Sequence, residues 1–261
     1  MAGRFGIPAI VFLLWAGVYS PPPGAASLLP VEKTPAPASP AIVIGFVGGF
    51  VSHADKIHLE VRLAAELRRD YPAGVHVQVF ENHRGDEAYR EVLRLLDTRH
   101  DGKLSPAEKN DARIIIYGHS WGASETVALA RRLGRDGIPV LLTIQVDSIT
   151  KYGENDTVIP PNVAEAVNFY QPDGLLHGIP QIRAADPSRT KILGNFRYDY
   201  KDHPVDCSTY PWIARTFEKA HIEIENDPRV WDRVASLIRS KLPTLAQSPA
   251  VPADAVASAR P

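Results

Sequence analysis

The pentapeptide Gly118-His119-Ser120-Trp121-Gly122 places a hydroxyl between two glycines. It follows the apolar run Ile114-Ile115-Ile116-Tyr117 and precedes a stretch with helical character from about Ala123 to Leu133. A strand that turns this sharply into a helix forces an unfavourable backbone at the serine and lifts its hydroxyl clear of the sheet. Glycines on both flanks remove side chains that would collide with the neighbouring strand and helix. The helix start also sets backbone N–H groups beside the serine, where negative charge develops during attack on a carbonyl. Ser120 is therefore the candidate nucleophile. Serine is a weak nucleophile unless a base activates it and a third group orients that base.

Those partners must be supplied by elements elsewhere in the chain. Ala41–Val47 is a continuous apolar run, as expected for a strand buried on both faces. A helix is predicted over Lys56–Arg69, with Ile57, Val61, Ala64 and Leu67 on one stripe. Strands follow at Val75–Phe80, Arg113–Tyr117 and Val140–Val146, with weaker ones at Ala166–Tyr170 and Lys191–Phe196. A second helix covers Glu87–Leu96. The last helix begins with Asp227 as cap and Pro228 in the first position, and presents Val230, Val234, Leu237, Ile238 and Leu242 on one face. Such alternation predicts an α/β fold, a mostly parallel sheet with helices on both faces.

The elbow in this setting resembles that of the α/β-hydrolase superfamily, and the resemblance covers most of the region between Ala41 and Leu245. It implies a serine, an acid and a histidine in that order along the chain, together with an oxyanion hole. Of the hole's two amide donors, one is implied at Trp121, after the nucleophile. The other falls in the loop after the first strand, where Gly48-Gly49-Phe50 makes Phe50 the candidate. The histidine is implied at His221, in a loop after the last strand and before the final helix, with His203 as its nearest competitor. His119 points away from the elbow and is expected to be structural. For the acid, Asp147 ends the strand after the elbow helix, where a carboxylate faces the edge at which parallel sheets do chemistry. Most relatives carry the acid one strand later, where Asp173 stands, so Asp173 is the alternative, followed by Asp199 and Asp202. The stretch after Asp147 is short, which leaves no room for a large cap domain.

One further segment resembles an EF-hand calcium loop. Asp97, Asp101, Gly102, Lys103, Ser105 and Glu108 fall at positions one, five, six, seven, nine and twelve. Arg99 stands at position three, where an oxygen ligand is expected, and its charge can pair with the same carboxylates and replace the ion. Calcium is thus a possible but unrequired ligand. No histidine or cysteine cluster has zinc-ligand spacing.

The chain has 261 residues, 44% hydrophobic and 23% charged, enough for one domain with a sizeable core. Its net charge of -1 and lack of a basic run give no electrostatic case for nucleic acid. Arg4 followed by the apolar run Phe5–Tyr19 and the small residues Gly24-Ala25-Ala26 predicts a secretory signal over residues 1–26, and hence export to the periplasm or medium. An uncleaved N-terminal membrane anchor is the alternative. Residues 27–40 read as a Pro/Ala-rich linker, 41–245 as the folded domain, and 246–261 as a disordered tail. With a single cysteine, Cys207, no intrachain disulfide can form.

The expected function is carboxylic-ester hydrolysis through an acyl-enzyme, on a small-molecule or lipid ester, with no cofactor required. Gly-His-Ser-Trp-Gly also looks like the elbow of some aminopeptidases that cleave next to proline, which keeps a peptidase of the same fold open. A hydrolase-like binding protein without activity is the third reading.

Overall fold

A computed structural model describes residues 40–244. The expected signal, nearly all of the expected linker and the expected tail lie outside the described residues.

The chain runs through β1 (Ala41–Val47), α1 (Leu59–Asp70), β2 (Val75–Glu81), α2 (Gly85–Leu96), α3 (Pro106–Asn110), β3 (Arg113–His119) and α4 (Trp121–Arg135). It continues through β4 (Val140–Val146), β5 (Val158–Ile159), β6 (Val163–Tyr170), β7 (Arg183–Ala184) and β8 (Lys191–Arg197). Three helices close it: α5 (Trp212–Phe217), α6 (Lys219–Asn226) and α7 (Pro228–Arg239). Six strands form one sheet in the order β2-β1-β3-β4-β6-β8, and every pairing in it is parallel. The two-residue strands β5 and β7 pair separately.

Alternation along each strand divides the core in two, because successive side chains leave opposite faces of a sheet. Val43, Ile115, Tyr117 and Ile144 meet α1 and α7 through Leu63, Leu67, Val234 and Ile238. Ile42, Ile44, Ile114 and Ile116 meet α2 and α4 through Val92, Leu96, Val127 and Leu133. Full burial of each such side chain contributes roughly 1.5–3 kcal/mol, so β1 and β3 are anchored on both faces. Gly45 opposes Tyr117 in register, and a Cβ there would lie 2.6 Å from the Tyr117 ring. The missing side chain makes room for that ring, whose hydroxyl donates to the Glu60 carbonyl at 2.9 Å.

The expected α/β architecture is present, with differences at element ends. α1 begins at Leu59 rather than Lys56, because His58 takes the cap position and Ile57 is left exposed. α4 extends from Trp121 to Arg135, and β6 starts at Val163 rather than Ala166. α7 starts as expected: the Asp227 side chain accepts from the Arg229 amide and Pro228 opens the helix. Leu242 lies beyond the end of α7 and still packs in the same core. Among the described residues, no helix is long and apolar enough to cross a membrane.

Candidate active site

Ser120 occupies the turn between β3 and α4 with φ 57 and ψ -126, a conformation L-residues rarely adopt. Such a backbone costs of order 1–3 kcal/mol and persists only where its surroundings fix it. Here the buried strand β3 precedes it and the buried face of α4 follows it. Its flanking glycines are sterically required. A Cβ on Gly118 would lie 2.5 Å from the Gly122 carbonyl carbon, and one on Gly122 would lie 2.7 Å from the Phe46 carbonyl carbon. Ser120 holds the cap position of α4, yet its side chain makes no capping hydrogen bond. The hydroxyl is left for other work.

His221 lies in the first turn of α6, not in the expected loop. Its Nδ1 stands 2.7 Å from Asp147 Oδ2, and both residues are buried. Asp147 follows β4 directly with φ 44. Its Oδ1 accepts from the amides of Gln171 and Gly178, each at 2.9 Å, and its Oδ2 also accepts from Gln171 Nε2 at 2.9 Å. A buried carboxylate gripped in this way is fixed in position, with both oxygens hydrogen-bonded. Gly178 allows the grip, since a Cβ there would lie 2.7 Å from Asp147 Cα. Gln171 was not anticipated; it also accepts from the Asp173 amide through Oε1.

The alternative acids lie elsewhere. Asp173 pairs with Lys201 at 3.2 Å, Asp199 pairs with Arg197, and Asp202 and His203 are exposed.

Ser120 and His221 face one pocket of about 460 Å³, which Phe50 and Trp121 also line. No hydrogen bond joins Ser120 to His221 among the described residues; such contacts tighten when substrate arrives. Phe50 is 95% exposed and meets Trp121 edge-on at 5.6 Å. None of the hydrogen bonds among the described residues uses the Phe50 or Trp121 amide. Gly48 brings that loop against the elbow, for a Cβ on it would lie 2.8 Å from Ser120 Cβ. Val51, Ile149, Leu176 and Ile222 make the walls apolar.

The pocket's inner side is polar, which sequence reasoning missed. His119 does not point away: its ring lies against that of His221, and it lines the same pocket. Burial holds its imidazole down at about 4. Behind it, Glu60 of α1, Glu225 of α6 and the cap residue His58 come together, all buried. Burial, with the charge of Glu225 added, pushes the Glu60 carboxyl well above the usual range. One signal was present in the sequence. Glu60 precedes Ala64 and Leu67 at helical spacing, so a carboxylate stands on the buried stripe of α1.

In the loop from Asp97 to Glu108, the carboxylates are already engaged. Glu108 Oε1 accepts from the Thr98 amide and hydroxyl, and its Oε2 accepts from the Ser105 amide and hydroxyl. Arg99 reaches both Asp101 and Glu108. Asp97 accepts from the amides of Asp101 and Gly102, and the Lys103 amide donates to Asp101.

No protein-family model matches the sequence, and no curated protein matches it. Solved structures do resemble it. A thermostable esterase from Pseudomonas putida is 10% identical, with 82% of this chain and 77% of that chain covered and a TM-score of 0.40. A cutinase-like protein from Cryptococcus sp. is 12% identical over 77% of this chain and 94% of that chain, also with a TM-score of 0.40. The likeness to an arylesterase is partial, 12% identical over 42% of this chain and 37% of that chain, with a TM-score of 0.28.

Proposed function

We propose that this chain, an α/β-hydrolase by fold, is a serine hydrolase of carboxylic esters. One observation carries the reading: a strained serine at a strand-to-helix turn shares a pocket with a histidine whose far nitrogen is held by a buried aspartate. Ser120 Oγ attacks the ester carbonyl while His221 Nε2 takes its proton. The amides of Phe50 and Trp121 receive the oxyanion, and the start of α4 adds its dipole. Asp147 keeps the Nδ1 proton of His221 in place and balances the imidazolium. His221 then protonates the departing alcohol. Water, deprotonated by His221, cleaves the acyl-enzyme and restores the serine. This route needs no cofactor.

The apolar walls suit the acyl part of a small-molecule or lipid ester. The opening residues support export, as a signal over residues 1–26. Mass spectrometry of the secreted chain tests that proposal, and an intact Met1 in a cytosolic fraction would overturn it.

A fluorophosphonate probe should label the purified protein at Ser120, and Ser120→Ala should abolish both labelling and p-nitrophenyl ester turnover. Wild-type turnover by Ser120→Ala would sink the reading. Cleavage of aminoacyl arylamides in preference to nitrophenyl esters would point instead to a peptidase.

A further inference from the structure

Glu60 presents a physical difficulty that the ester chemistry leaves untouched. It is fully buried, and neither of its carboxylate oxygens has a hydrogen-bond partner among the described residues. The nearest imidazole nitrogen, His119 Nδ1, is 3.6 Å from Oε1, beyond a hydrogen bond. A carboxylate orphaned in this way carries a large desolvation cost.

The groups around it have a common chemistry. His58 Nδ1 contacts Glu225 Oε1, and ligand atoms of His58, Glu60 and Glu225 lie within 4.8 Å of one another. Among the described residues, no lysine or arginine pairs with either glutamate. With the Glu60 proton displaced on binding, the two carboxylates together carry the charge that one divalent ion neutralises.

We infer that His58, Glu60 and Glu225 form a binding site for a divalent transition metal of the zinc type, beside the pocket that holds Ser120. Imidazole in the ligand set favours zinc over calcium or magnesium, which prefer oxygen ligands and keep bound water. Ligand atoms on a tetrahedral zinc stand about 3.3 Å apart, given bonds of roughly 2.0–2.2 Å. His58 and Glu225 lie closer than this, so an ion entering between them spreads them slightly, while Glu60 gains the partner it lacks. Three protein ligands leave a fourth position. His58 and Glu225 both line the pocket, so that position opens toward it. Tyr210, edge-on to His58 at 5.7 Å, flanks the same side.

The site stands whether or not Ser120 is a nucleophile, and its test is independent of turnover. The full chain is dialysed against zinc and its metal content measured by mass spectrometry alongside its melting temperature. One zinc per chain and a melting temperature that rises with zinc are expected. Glu60→Gln and Glu225→Gln should weaken zinc binding by more than the roughly 100-fold that outer-shell changes cost, while Asp173→Asn binds as wild type. Should either glutamine variant fail to fold, cobalt(II) added to the wild type gives a second readout. Intense visible absorption that zinc abolishes supports a four-coordinate site. Wild-type protein that is folded yet retains no zinc above the buffer level, or cobalt that stays in its pale aqueous form, would overturn the inference. So would glutamine variants that fold and bind zinc as tightly as the wild type.

Discussion

The imidazole of His119 lies against that of His221, with ring centroids 4.5 Å apart and planes inclined by 31°. His221 is thus held on two sides, by the Asp147 carboxylate at its Nδ1 and by this ring across its face. His119 makes no hydrogen bond to His221, so its contribution is positional. His119→Phe keeps a flat ring in place and should retain most of the esterase activity. His119→Ala should lower kcat with KM little changed, because a base displaced by an ångström can cost up to about 100-fold. Equal activity in both variants would remove the positioning role.

Asp147→Asn should lower turnover by roughly 10⁴. The geometry gives the reason. Two backbone amides, of Gln171 and Gly178, donate to Oδ1, so the oxygen of an asparagine must stay there. Its NH₂ then faces His221 Nδ1 and fixes the tautomer in which Nε2 carries a proton and cannot accept one from serine. That NH₂ also faces Gln171 Nε2, a second donor. Asp173→Asn should leave kcat unchanged. The reverse outcome in an ester assay would move the acid to Asp173.

Gly178→Ala should damage site and stability together. The added methyl would fall 2.7 Å from Asp147 Cα and 3.0 Å from its carbonyl carbon, inside backbone that cannot yield cheaply. Overpacking of this sort costs roughly 1–3 kcal/mol, which at about 2–4 °C per kcal/mol lowers Tm by several degrees. Turnover should fall as well, because Asp147 is what moves. A variant with wild-type Tm and kcat would contradict the close packing.

Glu108 should be an acid-sensitive link in its loop. Hydrogen bonds from Ser105, then from Thr98 and Arg99, hold its carboxyl down at about 2 in the folded chain, below the roughly 4.3 of an unfolded glutamate. Its stabilising effect is therefore complete above the unfolded value and lost as pH falls toward 2. The Tm gap between wild type and Glu108→Gln should be widest near neutral pH and close in acid. With the loop's own amides and Arg99 on these carboxylates, millimolar calcium should leave the wild-type Tm unchanged. A calcium-dependent rise would mean that the loop rearranges around the ion.

How much of this was readable depended on how local each requirement is. The elbow needs an apolar strand, two glycines and a helix within about twenty residues, and each is a short-range pattern. Asp147 was readable as the end of a strongly apolar strand. His221 was placed by chain order, but its helix was not seen. In Ala220-His221-Ile222-Glu223-Ile224, polar and apolar residues alternate as in a strand, whereas in α6 the residues from His221 to Glu225 are all buried. Neither period describes such a segment. The joining of His58 to Glu225, 167 positions apart, depends on how α1 and α6 pack, and no local pattern encodes it. The role of Gln171 was hidden likewise, because it follows from where β6 ends beside β4.

The parallel order of the sheet pairs strands that lie far apart along the chain. β1 lies between β2 and β3, and its ladder to β3 joins Ala41 to Arg113, so the first strand waits for residues far along the chain before its second edge is covered. Pairings of such long span are slow to close, because loop entropy is lost before contact energy is gained. Ser120 has its strained backbone between β3 and α4, and Asp147 is held where β4 ends beside β6. His221 comes later in the chain, in α6, beyond the edge strand β8. The proposed site therefore draws on nearly the whole length of the described domain, from Gly48 after β1 to His221 in α6, and no fragment that ends before α6 holds all of it.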